Sequence, residues 1–71
     1  MKGTIKVDRR KIRALMYDKR TNCARLAARM GYSREYVEAS VSKGYMSKFL
    51  LESIAKQLNV KPEELLDGFD G

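Results

Sequence analysis

Apolar residues recur along most of this chain at spacings of three and four, the period of a helix with one buried side. The clearest run lies between Asn22 and Gly44. There Cys23, Leu26, Ala27 and Met30 make one stripe, and Val37 and Val41 make a second, shorter one. Two short helices are therefore predicted, over 22–30 and 33–43, joined by a tight turn at Met30-Gly31-Tyr32-Ser33. Gly31 follows the last apolar contact of the first stripe, where a residue without Cβ can take the left-handed conformation that closes a helix. Ser33 offers its hydroxyl to the free N–H groups of the next helix. The outer face of that helix is polar, with Arg34, Glu35, Glu38 and Ser42.

The flanks repeat the pattern. Val7 to Met16 reads as a helix capped by Asp8, whose carboxylate also suits the positive end of the helix dipole, with Ile12, Leu15 and Met16 as its buried stripe. Lys19-Arg20-Thr21-Asn22 links it to the second helix, and either Thr21 or Asn22 can serve as cap. Ser47 to Leu58 reads as a fourth helix capped by Ser47, with Leu51, Ile54, Ala55 and Leu58 facing the core. Phe49 and Leu50 widen that stripe beyond what one face buries, which is either core filling or, together with Phe69, a patch for contact with a second subunit. Asn59 can close this helix in a left-handed conformation, and Pro62 opens a short fifth helix through Leu66. Thr4-Ile5-Lys6-Val7 alternates like a strand but is short, so residues 1–6 are assigned to a flexible arm and 67–71 to a loose end. The expectation is one all-α domain over 1–71, a compact bundle of about five short helices.

Charge adds a direction to this picture. The net charge is +6 and the pI about 9.7, which points to an anionic partner. Residues 1–34 hold eleven Lys and Arg against Asp8 and Asp18, a net +9, whereas residues 35–71 hold four basic and seven acidic groups, a net −3. Such polarisation suits a surface that meets phosphate at one end only. The cluster Arg9, Arg10, Lys11 and Arg13 is either part of that surface or a solvated face that keeps the protein in solution.

Composition also removes chemistry. There is no histidine and a single cysteine, Cys23, so no imidazole base, His-ligated metal, catalytic triad or internal disulfide can form. No glycine-rich phosphate cradle appears. Cys23 is expected to act as a small, half-buried hydrophobe. No enzyme, metal, cofactor or small-molecule ligand is expected, and the absence of any apolar run near the roughly 20 residues that span a bilayer leaves a cytoplasmic protein with no membrane partner as the expectation.

The motif Leu26-Ala27-x-x-x-Gly31-x-Ser33, followed by a short helix and Gly44, resembles the helix-turn-helix of the phage repressor and Cro (XRE-type) family. The likeness extends over roughly residues 6 to 66. It implies a lambda-repressor-like domain whose third helix, Ser33 to Lys43, lies in the DNA major groove. On that likeness Arg34, Glu35, Tyr36 and Glu38 face base edges. Arginine forks onto guanine N7 and O6, tyrosine lies against a thymine methyl, and glutamate accepts from cytosine N4 while repelling phosphates. Glu38 alternatively pairs with Arg34 one turn back. Phosphate contacts are carried over to Arg20, Asn22, Cys23, Ser33, Lys43, Tyr45 and Lys48, the last three from the loop after the recognition helix. Two departures stand out: Cys23 replaces the family's usual glutamine, and one extra residue separates Ser33 from Gly44. The resemblance implies a small transcriptional regulator of phage or mobile-element type, bound to double-stranded DNA as a homodimer that forms only on the DNA. Two rival readings use the same scaffold. One is a protein-interaction module, antirepressor or antitoxin-like, with Glu35, Glu38, Tyr36 and Tyr45 as its contact surface; the other is a non-specific nucleic-acid binder.

Overall fold

In the computed structural model, which describes residues 4–68, each of the four α-helices begins at a polar residue whose side chain accepts a hydrogen bond from the backbone N–H three positions on. Asp8 caps α1 (Arg9–Asp18), Asn22 caps α2 (Cys23–Met30), Ser33 caps α3 (Arg34–Lys43) and Ser47 caps α4 (Lys48–Leu58). Of the two candidates before α2 it is thus Asn22 that caps. Each such contact satisfies an N–H that the helix itself cannot pair. The helices also end as their sequences suggest. Gly31 and Asn59 adopt left-handed backbone at φ 79° and 59°, closing α2 and α4.

The core is a single cluster drawn from every element. Ile12 and Met16 come from α1, Leu26 and Ala27 from α2, Val37 and Val41 from α3, and Leu50, Leu51, Ile54, Ala55 and Leu58 from α4. Val7, Met46 and Leu65 complete it. Leu15, Cys23, Met30 and Tyr32 pack against its margin. Ser40 is the one buried polar residue among those described, and no buried side-chain polar atom there lacks a hydrogen-bond partner. The core is therefore apolar with its buried polar side-chain atoms satisfied, as stability requires of a chain this short.

The expectation of an all-α bundle of five helices is corrected. Among the described residues there are four α-helices, a 3-10 turn at Pro62–Leu65 where the fifth helix was expected, and a two-stranded sheet. Strand β1 (Thr4–Lys6) pairs antiparallel with β2 (Tyr45–Ser47), Ile5 opposite Met46. The segment read as a flexible arm is thus tied down over residues 4–6, and the post-recognition loop is a strand over 45–47. The reason is tertiary. A three-residue strand has almost no periodicity of its own, and β1 exists because β2 lies beside it. The same pairing displaces the start of the first helix by two residues: Val7, placed in it by sequence, is extended and buried, and its N–H donates to Gly44 O at 2.8 Å. On the other edge of β1, Asp67 N–H donates to Lys6 O, and Lys6 Nζ lies 3.4 Å from an Asp67 carboxylate oxygen. Asp67, assigned to the loose end, is held there; residues 69–71 lie outside the described residues. No helix among the described residues is long and apolar enough to cross a membrane.

These positions separate two neighbours on α4. Ile54 is fully buried, so Ile54→Ala should lower the free energy of unfolding by about 2–5 kcal/mol. Phe49 is exposed, so Phe49→Ala should change it by no more than about 0.5 kcal/mol. Urea denaturation of the two variants measures both.

Candidate nucleic-acid interface

The turn between α2 and α3 sets one helix across the other. The Gly31 and Tyr32 N–H groups both return to Ala27 O, the latter at 3.0 Å, so the chain leaves α2 in a fixed direction. Tyr36 N–H then donates to Ser33 Oγ at 3.2 Å and α3 starts. Val37, Ser40 and Val41 form its buried stripe, at spacings of three and four. Every other residue of α3 is exposed, and these include Arg34, Glu35, Tyr36 and Glu38, the four assigned to base readout. Three of the four are engaged with neighbours, Arg34 and Glu38 with each other and Tyr36 with Tyr32. Arg34 Nε donates to Glu38 Oε1 at 3.1 Å, and the Tyr36 ring lies 5.4 Å from that of Tyr32, tilted by 40°.

The far end of α3 is also held, in a way the sequence did not announce. Arg9 Nη1 donates to Ser42 O at 2.8 Å, placing a cation on the carbonyl end of the helix. Gly44 closes the helix at φ 78°, and a Cβ there would stand 3.5 Å from Arg9 side-chain carbons. The glycine is required by its backbone conformation, since ordinary packing space remains. Arg9 was visible only as one of four basic residues; its target, a carbonyl thirty-three positions on, had no signal.

The residues assigned to phosphate contact fall into two groups around α3. Arg20 (positive φ, 54°), Asn22 and Cys23 sit before and at the start of α2; Lys43 is the last residue of α3, Tyr45 opens β2 and Lys48 opens α4, all three exposed. The side-chain oxygens of Asn22 and Ser33 are used as caps, by Arg25 N–H at 2.9 Å and by Tyr36 N–H. A groove of about 500 Å³ separates α1, the start of α2 and α3, lined by Arg13, Tyr17, Asn22, Cys23, Glu38 and Ser42 among others. Arg13, read from sequence only as a member of the basic cluster of α1, lines this groove, and Tyr32, not assigned to the site by sequence, packs against Tyr36.

Cys23 is half-buried in this groove. Burial pushes its thiol pKa up, the Glu38 carboxylate pushes it further the same way, and Arg13 and Arg34 oppose both. The thiol therefore stays protonated through neutral pH and is a poor nucleophile. Among the described residues no group of His, Cys, Asp or Glu is arranged to hold a metal ion.

One subunit-contact assignment is corrected. Leu50, offered as a candidate, is 0% exposed because it faces the core from the first turn of α4, and it cannot reach a second molecule. Phe49 beside it is 76% exposed. Phe69 lies outside the described residues.

With this geometry in view, the chain was compared with known proteins. Residues 11–69 match the family model of the Cro/C1-type HTH DNA-binding domain. The chain belongs to that family, whose domains bind DNA and are typically not enzymes. No curated protein and no solved structure gave a significant match. The resemblance read from Leu26-Ala27, Gly31 and Ser33 is borne out at the level of the family.

The Cys23 environment predicts slow alkylation. At pH 7.5 iodoacetamide should react more slowly with the folded protein than with the protein in denaturing urea. Equal rates at pH 7.5, followed by mass spectrometry, would contradict the buried setting.

Proposed function

We propose that the protein binds double-stranded DNA sequence-specifically through α3 in the major groove, as a small transcriptional regulator of phage or mobile-element type. The observation that carries this reading is the division of α3 into a narrow buried stripe, Val37, Ser40 and Val41, and an exposed side that begins with Arg34, Glu35 and Tyr36. In a helix-turn-helix protein it is the first turns of that helix that meet base edges.

Arg34 is the leading reader, forking onto guanine O6 and N7, with Tyr36 against a thymine methyl and Glu35 towards cytosine N4. Arg20, the α2 start at Asn22 and Cys23, Ser33, and the group Lys43, Tyr45 and Lys48 take the phosphates on either side of the groove. Cys23 is the weakest of these, since a neutral half-buried thiol brings neither charge nor reach. A single α3 reads only a few base pairs, so two copies bind a pseudo-palindrome and the pairing forms on the DNA, in the cytoplasm where that DNA lies. Phe49 is the exposed apolar residue available for contact between them.

Selection from random duplexes, followed by titration at several salt concentrations, tests the reading. A consensus should emerge. Arg34→Ala should weaken discrimination at one base pair by about 1–3 kcal/mol, and Lys48→Ala should weaken binding to all sequences and reduce the salt slope by about one. Enrichment without a consensus would establish a non-specific binder, and an absence of salt-dependent binding would leave the protein-interaction module.

A further inference from the structure

The Arg34–Glu38 pair is poorly suited to stabilising its own helix. An acid placed four residues before a base is the helpful order, and here the base comes first. Arg34 is also the first residue of α3, where a cation opposes the helix dipole. Both side chains are about half exposed, 63% and 47%, so the pair contributes little to folding in water. Its geometry nevertheless does something definite. The Nε–H of Arg34 is taken by Glu38 Oε1 at 3.1 Å, and among the described residues no hydrogen bond or ion pair engages its Nη1 and Nη2 groups. Those two nitrogens form the end-on fork of the guanidinium, which matches two acceptors side by side.

We infer that Glu38 is a positioning residue for Arg34: it holds the guanidinium by Nε so that the Nη fork faces the groove, and it does not itself read a base. This rests on the proposed reading of α3 as the base-reading helix. Guanine offers N7 and O6 as paired acceptors, whereas adenine offers an acceptor and a donor, so a fork held end-on accepts the first and meets a like donor on the second. Glu38 is placed for this from behind, on the wall of the groove that also contains Arg13 and Cys23. Near DNA its carboxylate repels phosphates at every sequence alike, so its presence lowers general affinity while narrowing the choice of base. These two effects have opposite signs when the residue is removed. That separates positioning from a merely structural role.

The test uses the full chain and the selected operator, with guanine at the base pair identified by Arg34→Ala replaced by 7-deazaguanine, which lacks the N7 acceptor. The wild type should lose about tenfold in affinity on that replacement. Glu38→Ala should bind random duplex more tightly than the wild type, and its 7-deazaguanine penalty should shrink to within about twofold. Glu38→Gln, which keeps an oxygen acceptor for Nε, should recover part of the penalty. Circular dichroism and thermal melting of each variant report whether α3 is intact. A full penalty in Glu38→Ala, or a uniform loss of affinity for operator and random DNA together, overturns the inference while leaving the base-reading role of Arg34 standing. If Arg34→Ala alters no base preference, the reading of α3 itself falls and this inference with it.

Discussion

A ten-residue helix has little stability of its own, and α3 is joined to the body of the protein through only three buried side chains, Val37, Ser40 and Val41. The remaining structure can be understood as the support this helix needs. Leu26 and Ala27 of α2 share its core cluster, the turn at Gly31 fixes its entry, and Ser33 satisfies its first free N–H groups. At its other end Arg9 binds Ser42 O, and Val7 binds Gly44 O. Fixing both ends matters because a small rotation of a helix about its axis moves each exposed side chain to a different place. A surface read by hydrogen bonds tolerates little of that.

The small sheet belongs to the same support. By pairing with β1, strand β2 is held in a set direction immediately after α3, with Tyr45 exposed and Met46 buried. Lys43, the last residue of α3, and Lys48, the first of α4, flank it, so both cations are carried on ordered backbone. Electrostatics acts on this frame without stabilising it much. Among the described residues Lys6–Asp67 and Arg34–Glu38 form exposed ion pairs. The many Lys and Arg of residues 1–34 lie on α1, α2 and the start of α3, a density of positive charge that suits an anionic partner.

Much of this was legible in the residues. Local signals were strong wherever one residue type answered one local need: Asp8, Asn22, Ser33 and Ser47 as caps, Gly31 and Asn59 as left-handed closures, and Val37 with Val41 as a minimal stripe. The candidate site was legible as a set of exposed positions on α3, and the family likeness agrees with the family match over residues 11–69. What failed were readings that needed a partner distant in the chain. Nothing near Thr4 shows that it will pair with residues 45–47, and nothing near Arg9 shows a carbonyl at Ser42. Phe49 and Leu50 are adjacent apolar residues in one helical turn, and only packing decided that Leu50 points inward and Phe49 outward.

The sequence by itself determined the capping residues of the four α-helices, which stripe of each is apolar, which end of the chain is basic, and that no catalytic or metal chemistry based on histidine can occur. These depend on interactions within about four residues, or on composition alone. Tertiary structure decided the strand pairing, the two-residue displacement of the first helix, the 3-10 turn, the clasp of Arg9 on α3 and the surroundings of Cys23. Each of those arises from groups far apart in sequence, brought together only when burial of the shared core brings the elements side by side.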